Sequence, residues 1–205
     1  MLVRTENSKS AIAAQKGLSK EDINGLPLFH YTGEVVLVRS EAECESAIQY
    51  LLAQDVVGFD TETRPSFRKG KSYLPSLVQA AAHDVVFLFH FRWLPFGERL
   101  IHLLEHDKII KAGVAIHDDL RGLQKIASFT PHAAVDLGLL GRAKAGTRSG
   151  LRGLAAQFLG VRISKGEQCS DWSKELSSRQ IRYAATDAWV SREIFLAMRN
   201  QELFG

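Results

Sequence analysis

The order of apolar patterns along the chain predicts an α/β fold with a mixed central sheet flanked by helices. Strand patterns dominate the first part of the chain, and helical patterns alternate with short strands afterwards, which favours this class. The run Val56-Val57-Gly58-Phe59 is apolar throughout, as in a strand buried within a sheet. A long helical pattern follows Ser177, which forms a predicted capping box with Gln180. Together with the length of the chain, these observations predict one domain with an α/β architecture.

The remaining elements follow from periodicity and from glycine, proline and capping residues. Strands are predicted at 35–38, 56–62, 76–82, 85–89, 108–113 and 135–136, with a hairpin turn at His83-Asp84. Helices are predicted from Ser19, at 40–52, 95–104, 116–126 and 151–159, in a short segment ending at Leu140, and after Ser177. Gly160 is a predicted helix C-cap. The basic, glycine-rich segment 141–150 is predicted to be a loop, either a connector or a surface that faces substrate.

Bulk composition excludes several classes of protein. The chain has 205 residues, a net charge of +3 and a hydrophobic fraction of 45%, all ordinary for a globular domain. No apolar run approaches the ~20 residues that span a bilayer, and the first residues lack the apolar core of a secretory signal. Cys44 and Cys169 do not suggest a disulfide framework. We therefore expect a cytoplasmic protein without a membrane partner, with a nuclear location left open.

Carboxylates and one tyrosine carry the chemistry. Asp60 and Glu62 directly follow the apolar strand, and residues two apart in a strand point to the same face. Tyr183 and Asp187 are four apart in the last helical pattern and therefore also share a face. Asp119 closes the segment Ile116-His117-Asp118-Asp119. Several carboxylates that converge on one cleft suit Mg²⁺ or Mn²⁺ and not zinc.

The chain resembles the 3′–5′ exonucleases of the DEDD superfamily, in the subclass with a tyrosine in its last motif and close to the ribonuclease D and Werner-type domains. The resemblance rests on three segments in the family's order, across roughly residues 35 to 200. They are Val57-Gly58-Phe59-Asp60-Thr61-Glu62, Lys111-Ala112-Gly113-Val114 leading to Asp119, and Cys169-Ser170-Asp171-Trp172-Ser173 leading to Tyr183-Ala184-Ala185-Thr186-Asp187-Ala188. Each segment alone is common, whereas the three in order are specific to the family.

The resemblance implies a ribonuclease-H-like (DnaQ-like exonuclease) fold at 31–205, after a partly flexible N-terminal extension at 1–30. It implies an enzyme that uses two divalent ions, Mg²⁺ or Mn²⁺, to release nucleoside 5′-monophosphates from a nucleic acid with a free 3′ end. Asp60 would contact both ions, Glu62 and Asp187 the ion that activates water, and Asp119 the other. Tyr183 would position the attacking water. The spacing from Gly113 selects Asp119, and Asp118 is the alternative.

Basic and aromatic residues are the candidate contacts to the nucleic acid. The predicted contacts to phosphate are Arg68, Lys69, Lys71, Arg121 and Arg148. Arg121 stands where the Werner-type domains carry a tryptophan. Phe67, Tyr73 and Trp93 are candidates for stacking on a terminal base, whereas Trp172 is predicted to be a packing anchor.

Two other functions remain open at this level. One is a binding or scaffolding module of the same fold that has little or no catalysis, and the other is a related nuclease that cuts internally. The sequence leaves the choice between DNA and RNA open, because no motif here reveals how the 2′-hydroxyl would be read.

Overall fold

Six strands form one mixed sheet in the computed structural model, which describes residues 18–66, 68, 70, 72–145 and 150–201, without the side chains of 144 and 145. The strands are β1 (Glu34–Val38), β2 (Val56–Thr63), β3 (Pro75–Ala81), β4 (Val85–His90), β5 (Ile110–Gly113) and β6 (Ala134–Asp136). The helices are α1 (Lys20–Gly25), α2 (Glu41–Leu52), α3 (Glu98–Glu105), α4 (Ile116–Gln124), α5 (Leu137–Ala145), α6 (Leu151–Leu159) and α7 (Ser178–Asn200). The sequence therefore predicted every strand, and the boundaries differ by a few residues.

The strand order is β1-β4-β3-β2-β5-β6, so β2 lies inside the sheet. It pairs antiparallel with β3 and parallel with β5, and β3 continues antiparallel to β4. The outer strands β1 and β6 are parallel to their neighbours β4 and β5. The sheet is therefore a three-stranded antiparallel meander with parallel strands added at both sides, as expected for a mixed sheet.

Each face of the sheet carries its own layer of helices. One apolar cluster packs Val57 and Phe59 of β2 against the buried sides of α2, α3 and α4. The other face of β2 presents Gly58, Asp60 and Glu62, because successive residues of a strand point to opposite faces. Helix α7 covers that face, together with α5 and α6.

Gly58 explains how closely α7 approaches the central strand. A Cβ atom at Gly58 would lie 1.9 Å from the carbonyl oxygen of Ala188, which belongs to the backbone of α7. No side chain fits there without moving the helix, so glycine permits the contact. This contact fixes Asp187, the preceding residue of α7, above the end of β2.

Local capping follows the sequence closely. Ser177 and Gln180 form the predicted capping box at the start of α7, and Gly160 ends α6 in the left-handed conformation with φ 67°. The two largest boundary errors concern helices. Helix α3 begins after its N-cap Gly97 and not at residue 95, and α5 continues to Ala145 through part of the predicted loop. Arg142 and Ala143 are good helix formers, which accounts for the longer α5. Residues 146–149 of that loop lie outside the described residues.

The predicted boundary at residue 31 stays a prediction. Phe29 already packs on the domain: its backbone N–H donates to the carbonyl oxygen of Arg162 at 2.8 Å, and its ring stacks on Trp189 at a centroid distance of 5.3 Å. Within the described ranges, no helix combines the length and the apolar character needed to cross a membrane.

Candidate active site

Three carboxylates from two elements converge at the end of β2. Asp60 and Glu62 lie on β2, and Asp187 lies on α7, where Gly58 brings the helix against the strand. One oxygen from each of these carboxylates lies within 4.8 Å of the others. The sequence predicted that Asp60 and Glu62 share one face of a strand and that Asp187 shares one face of a helix with Tyr183. In the structure these two faces meet, and the three carboxylates form a single cluster.

Asp119 reaches the same region from α4. Its Oδ1 accepts a hydrogen bond of 2.6 Å from the hydroxyl of Thr61, which stands between Asp60 and Glu62 in β2. Asp118 is exposed and forms an ion pair with Arg121. Adjacent residues on a helix are rotated by about 100°, so only one of these two aspartates faces the strand. The structure directs Asp119 towards the cluster and Asp118 towards solvent.

The carboxylates are destabilised as anions in this arrangement. Burial raises the pKa of Asp60 first, and the charge of Asp187 raises it further. Burial is also the main cause of the raised pKa of Glu62, followed by Asp60 and Asp187. The pKa of Asp119 is raised by burial and by Asp60, although the hydrogen bond from Thr61 opposes this. Without a counter-charge, like charges in a buried cleft resist ionisation together.

Tyr183 lies one helical turn before Asp187 and is half-buried beside Trp172, at a ring-centroid distance of 6.0 Å. Burial raises the pKa of its phenol above the ordinary value, and the neighbouring charges of Asp187 and Glu62 act in the same direction. The hydroxyl therefore stays protonated near neutral pH and is a hydrogen-bond donor. The fully buried Trp172 is the packing anchor that the sequence predicted.

An open cavity of about 350 Å³ lies above the cluster. Asp60, Thr61, Glu62, Tyr183 and Asp187 line its inner part. The rest of the lining comes from the residue after β5, from α6 with its N-cap, from the segment that follows α6 and from α7. These residues are Val114, Gly150, Leu151, Arg152, Gly153, Ile163, Ser164, Lys165, Gln168 and Ser191. The carboxylates are thus accessible to a ligand.

The donor set fits a divalent cation. Asp187 is only 6% exposed, and its Oδ1 is buried without a hydrogen-bond partner. A buried carboxylate oxygen without a partner is costly, whereas a cation would satisfy it and would offset the mutual repulsion of the cluster. The clustered ligands of Asp60, Glu62 and Asp187 are all carboxylate oxygens, the ligands that hard divalent cations prefer.

The predicted contacts to nucleic acid are less concentrated. Arg121 is exposed, paired with Asp118, and lines a neighbouring cavity that shares Val114 and Gly150 with the carboxylate cavity. Arg68 is exposed on the segment after β2 and does not line the carboxylate cavity. Lys69, Lys71 and Arg148 lie outside the described residues. All five stay predictions as contacts to phosphate.

Two of the stacking candidates, Tyr73 and Trp93, are not brought to the carboxylates. Tyr73 lies under the guanidinium of Arg64, 5.0 Å from the ring centroid, and Trp93 lies under that of Arg39 at 4.1 Å. Neither aromatic ring belongs to the described lining of the carboxylate cavity. Phe67 lies outside the described residues.

Sequence reasoning missed several residues of the cavity. Thr61 was read only as part of a motif, and its hydroxyl bond to Asp119 depends on how α4 packs beside β2. Arg152, Lys165 and Gln168 also line the cavity. Arg152 and Lys165 belong to a group of basic residues that precede the last motif, and this local positive charge could have suggested a contact to phosphate. Only the packing of the folded chain shows which members of that group reach the cavity.

Comparison with known proteins agrees with this geometry. Residues 35–202 match the family described as 3′-5′ exonuclease. The chain is 30% identical over 188 residues to the bifunctional 3′-5′ exonuclease/ATP-dependent helicase WRN of Mus musculus, which covers 86% of the chain and 13% of that protein. Ribonuclease D of Haemophilus influenzae is 27% identical over 191 residues, 84% of the chain and 46% of the relative. The chain thus spans less than half the length of both relatives.

A solved structure extends the comparison to the fold. The Nibbler EXO domain of Aedes aegypti superposes with a TM-score of 0.73 at 27% identity and covers 82% of this chain and 88% of its own. This similarity confirms the predicted ribonuclease-H-like fold with its mixed sheet flanked by helices. Since the family match extends over most of the sequence and includes every residue of the carboxylate cluster, the chain belongs to the 3′-5′ exonuclease family.

Proposed function

We propose that this chain is a metal-dependent 3′–5′ exonuclease that hydrolyses phosphodiester bonds of DNA or RNA from the 3′ end and releases nucleoside 5′-monophosphates. The observation that carries the proposal is the convergence of Asp60, Glu62 and Asp187 beside Tyr183 in one open cavity. A scaffolding domain would have no need for buried carboxylates that repel one another. The nearby Asp119 completes the four acids of the family's motifs.

Asp60, Glu62 and Asp187 would hold divalent cations, Mg²⁺ or Mn²⁺, with Asp119 contributing from α4. When bound, a pair of such ions lowers the pKa of a coordinated water and stabilises the departing oxyanion. Two of these carboxylates are held in place by hydrogen bonds from Thr61. Its backbone N–H donates to Asp60 at 2.9 Å, and its hydroxyl donates to Asp119 at 2.6 Å. Thr61 therefore connects the ligands on β2 to the ligand on α4.

Tyr183 orients the attacking water and does not remove its proton. A phenol whose pKa is raised by burial and by adjacent carboxylates keeps its own proton near neutrality. It can donate one hydrogen bond to a water oxygen and so fix the direction of attack. The packing of Tyr183 against the buried Trp172 restricts its ring, which supports this orienting role.

We propose Arg152 and Lys165 as two further contacts to the phosphates of the bound strand, in addition to those predicted from the sequence. Both line the carboxylate cavity, and Arg152 lies in the first turn of α6, whose N-terminal end faces the same space. The amino end of a helix carries partial positive charge and attracts phosphate. These groups would hold the backbone of the substrate near the carboxylates whatever its base sequence, which suits an exonuclease that removes successive nucleotides.

Degradation of 5′-labelled single-stranded DNA and RNA oligonucleotides, with Mg²⁺ or with Mn²⁺, tests the proposal. We expect a ladder that shortens from the 3′ end with mononucleotide products, and no ladder with Asp187→Asn. The preferred sugar and metal are read from the same gels. Oligonucleotide products would indicate internal cutting instead, and binding without cleavage by the wild-type protein would support the scaffolding alternative.

A further inference from the structure

Gln79 is a buried polar residue that neither the sequence motifs nor the proposed mechanism uses. It lies in β3 and is 0% exposed, and both Nε2 and Oε1 of its amide have no hydrogen-bond partner. Burying an amide without partners is unfavourable, and native proteins contain few such groups. The position of Gln79 in the sheet indicates what its missing partner is.

The sheet places Gln79 directly beside a carboxylate. Its two cross-strand partners are Leu88 on β4 and Asp60 on β2. Residues directly opposite in an antiparallel pair share a face, with Cβ atoms about 4.5–5.5 Å apart. Leu77 and Ala81, on the same face of β3, belong to an apolar cluster with Leu88. Of the two residues directly opposite Gln79, the polar one is therefore Asp60, and His90 and Glu62 lie diagonally across the same face, opposite Leu77.

A second polar atom without a partner lies above this pair. The Oδ1 atom of Asp187 is buried and unpartnered, and the carboxylate of Asp187 is close to that of Asp60. Helix α7 contacts both β2 and β3, so it covers Gln79 as well as Asp60. A buried amide donor and a buried carboxylate acceptor thus lie between the same helix and the same two strands, both unsatisfied.

We propose that Gln79 is a positioning residue, whose amide nitrogen donates a hydrogen bond to the carboxylate pair of Asp60 and Asp187 when a divalent cation is bound. An amide N–H that donates to a carboxylate forms a charge-assisted hydrogen bond, which is roughly twice as strong as one between neutral groups. Carboxylates that bind metals are usually held by such neighbouring donors. The inference rests on the proposed function, since it assigns Gln79 to the same cation site.

The test combines three measurements on Gln79→Met, a substitution of similar shape that removes the amide. They are the Kd for Mn²⁺ by titration calorimetry, the Tm without metal, and kcat and KM on a single-stranded oligonucleotide. Gln157→Met is the matched control, because the Oε1 of Gln157 on α6 is also buried without a partner but Gln157 does not line the carboxylate cavity. Gln79→Glu is a second variant, which puts an acceptor where a donor is required.

We expect Gln79→Met to weaken Mn²⁺ binding about 10- to 100-fold, to lower kcat with KM unchanged, and to keep or raise the Tm of the metal-free protein. The last result follows because an apolar side chain removes an unsatisfied amide. Gln79→Glu should lower Mn²⁺ affinity or kcat, and Gln157→Met should change neither. Wild-type Mn²⁺ affinity and kcat in Gln79→Met, or equal losses in the control, would overturn the inference.

The two proposals fail in different ways. If the wild-type protein cuts no oligonucleotide but Gln79→Met still weakens Mn²⁺ binding, the assignment of Gln79 holds and the proposed activity does not. If the wild-type protein is an active exonuclease and Gln79→Met matches it in kcat and in Kd, the activity holds and the role of Gln79 is refuted.

Discussion

The two faces of the sheet satisfy their buried polar groups to different degrees. On the face covered by α2, α3 and α4, Lys111 is fully buried, yet its Nζ donates to the carbonyl oxygen of His106 at 2.6 Å. On the face covered by α7, the described residues leave buried polar atoms without partners in the side chains of Gln79, His90, Arg152, Gln157, Trp172 and Asp187. The pKa of Lys111 is lowered to about 8 by burial, but its charge has one defined acceptor.

The difference separates stability from activity. The face covered by α2, α3 and α4 is an apolar core, and its buried lysine, Lys111, has a hydrogen-bond acceptor. Such close apolar packing is expected for the part of the protein that stabilises the fold. The α7 face retains groups that lower stability in the absence of a ligand. Proteins break rules of packing and polar satisfaction mainly at functional sites, so we expect substitutions on the two faces to have opposite consequences.

The largest effect should come from Asp60→Asn on the α7 face. We expect kcat to fall by about 10³-fold, because a charged ligand of the cation is lost and each 1.36 kcal/mol of barrier is a factor of ten. The free energy of unfolding without metal should stay equal or increase, because one of several repelling carboxylates is gone. Single-turnover kinetics and urea unfolding in EDTA measure the two quantities. A kcat close to that of the wild-type protein would show that Asp60 is not a ligand of the catalytic cation.

Leu103→Ala tests the opposite face. Leu103 is fully buried in α3, so its truncation should lower the free energy of unfolding by about 2–5 kcal/mol. Activity per folded molecule should not change, because α3 does not line the cavity. Urea unfolding gives the stability, and kcat/KM at a temperature well below the Tm gives the activity. A loss of kcat in the folded variant would show that the faces are not independent.

The pH dependence of stability should reverse when metal is added. The pKa values of Asp60, Glu62 and Asp119 are raised in the folded protein, mainly by burial. Above pH ~4 the unfolded chain ionises these groups while the folded protein still holds protons, so the metal-free protein loses stability as the pH rises towards the folded pKa values.

Mn²⁺ binds the ionised carboxylates and should therefore stabilise the protein more as the pH rises, by about 2.7 kcal/mol at a concentration of 100 Kd. Thermal unfolding from pH 5 to 8, with EDTA and with Mn²⁺, measures both trends. Curves that coincide with and without Mn²⁺ over this range would contradict a cation site in this cluster.

The smallest effect should come from the rim of the cavity. Lys165 is exposed and lines the cavity, so Lys165→Ala removes one contact to phosphate and no ligand of the cation. We expect KM to rise about 5-fold with kcat unchanged, and the slope of log Kd for single-stranded DNA against log salt to fall by about one. Lys125→Ala, an exposed lysine at the end of α4, is the control. If Lys165→Ala and Lys125→Ala had the same KM and the same salt dependence, Lys165 would not contact the substrate.

Much of the site could be predicted because its signals are local. The strand period places Asp60 and Glu62 on one face, and the helical period does the same for Tyr183 and Asp187. The capping box at Ser177 and the glycine that ends α6 are equally local and were predicted correctly. The predicted loop at 141–150 was partly wrong because helix propensity and loop composition conflict there, and the structure continues α5 to Ala145.

The sequence alone therefore determined that Asp60 shares a face with Glu62 and Tyr183 with Asp187, because each pair follows from the repeat of a single strand or helix. The family spacing favoured Asp119 and left Asp118 as the alternative, and the tertiary structure showed that Asp119 bonds to Thr61. Only the tertiary structure placed Lys165 in the cavity and paired Gln79 with Asp60. Those choices depend on strand register and on the side from which each helix packs. Both arise from contacts between segments far apart in the chain, so no local pattern contains them.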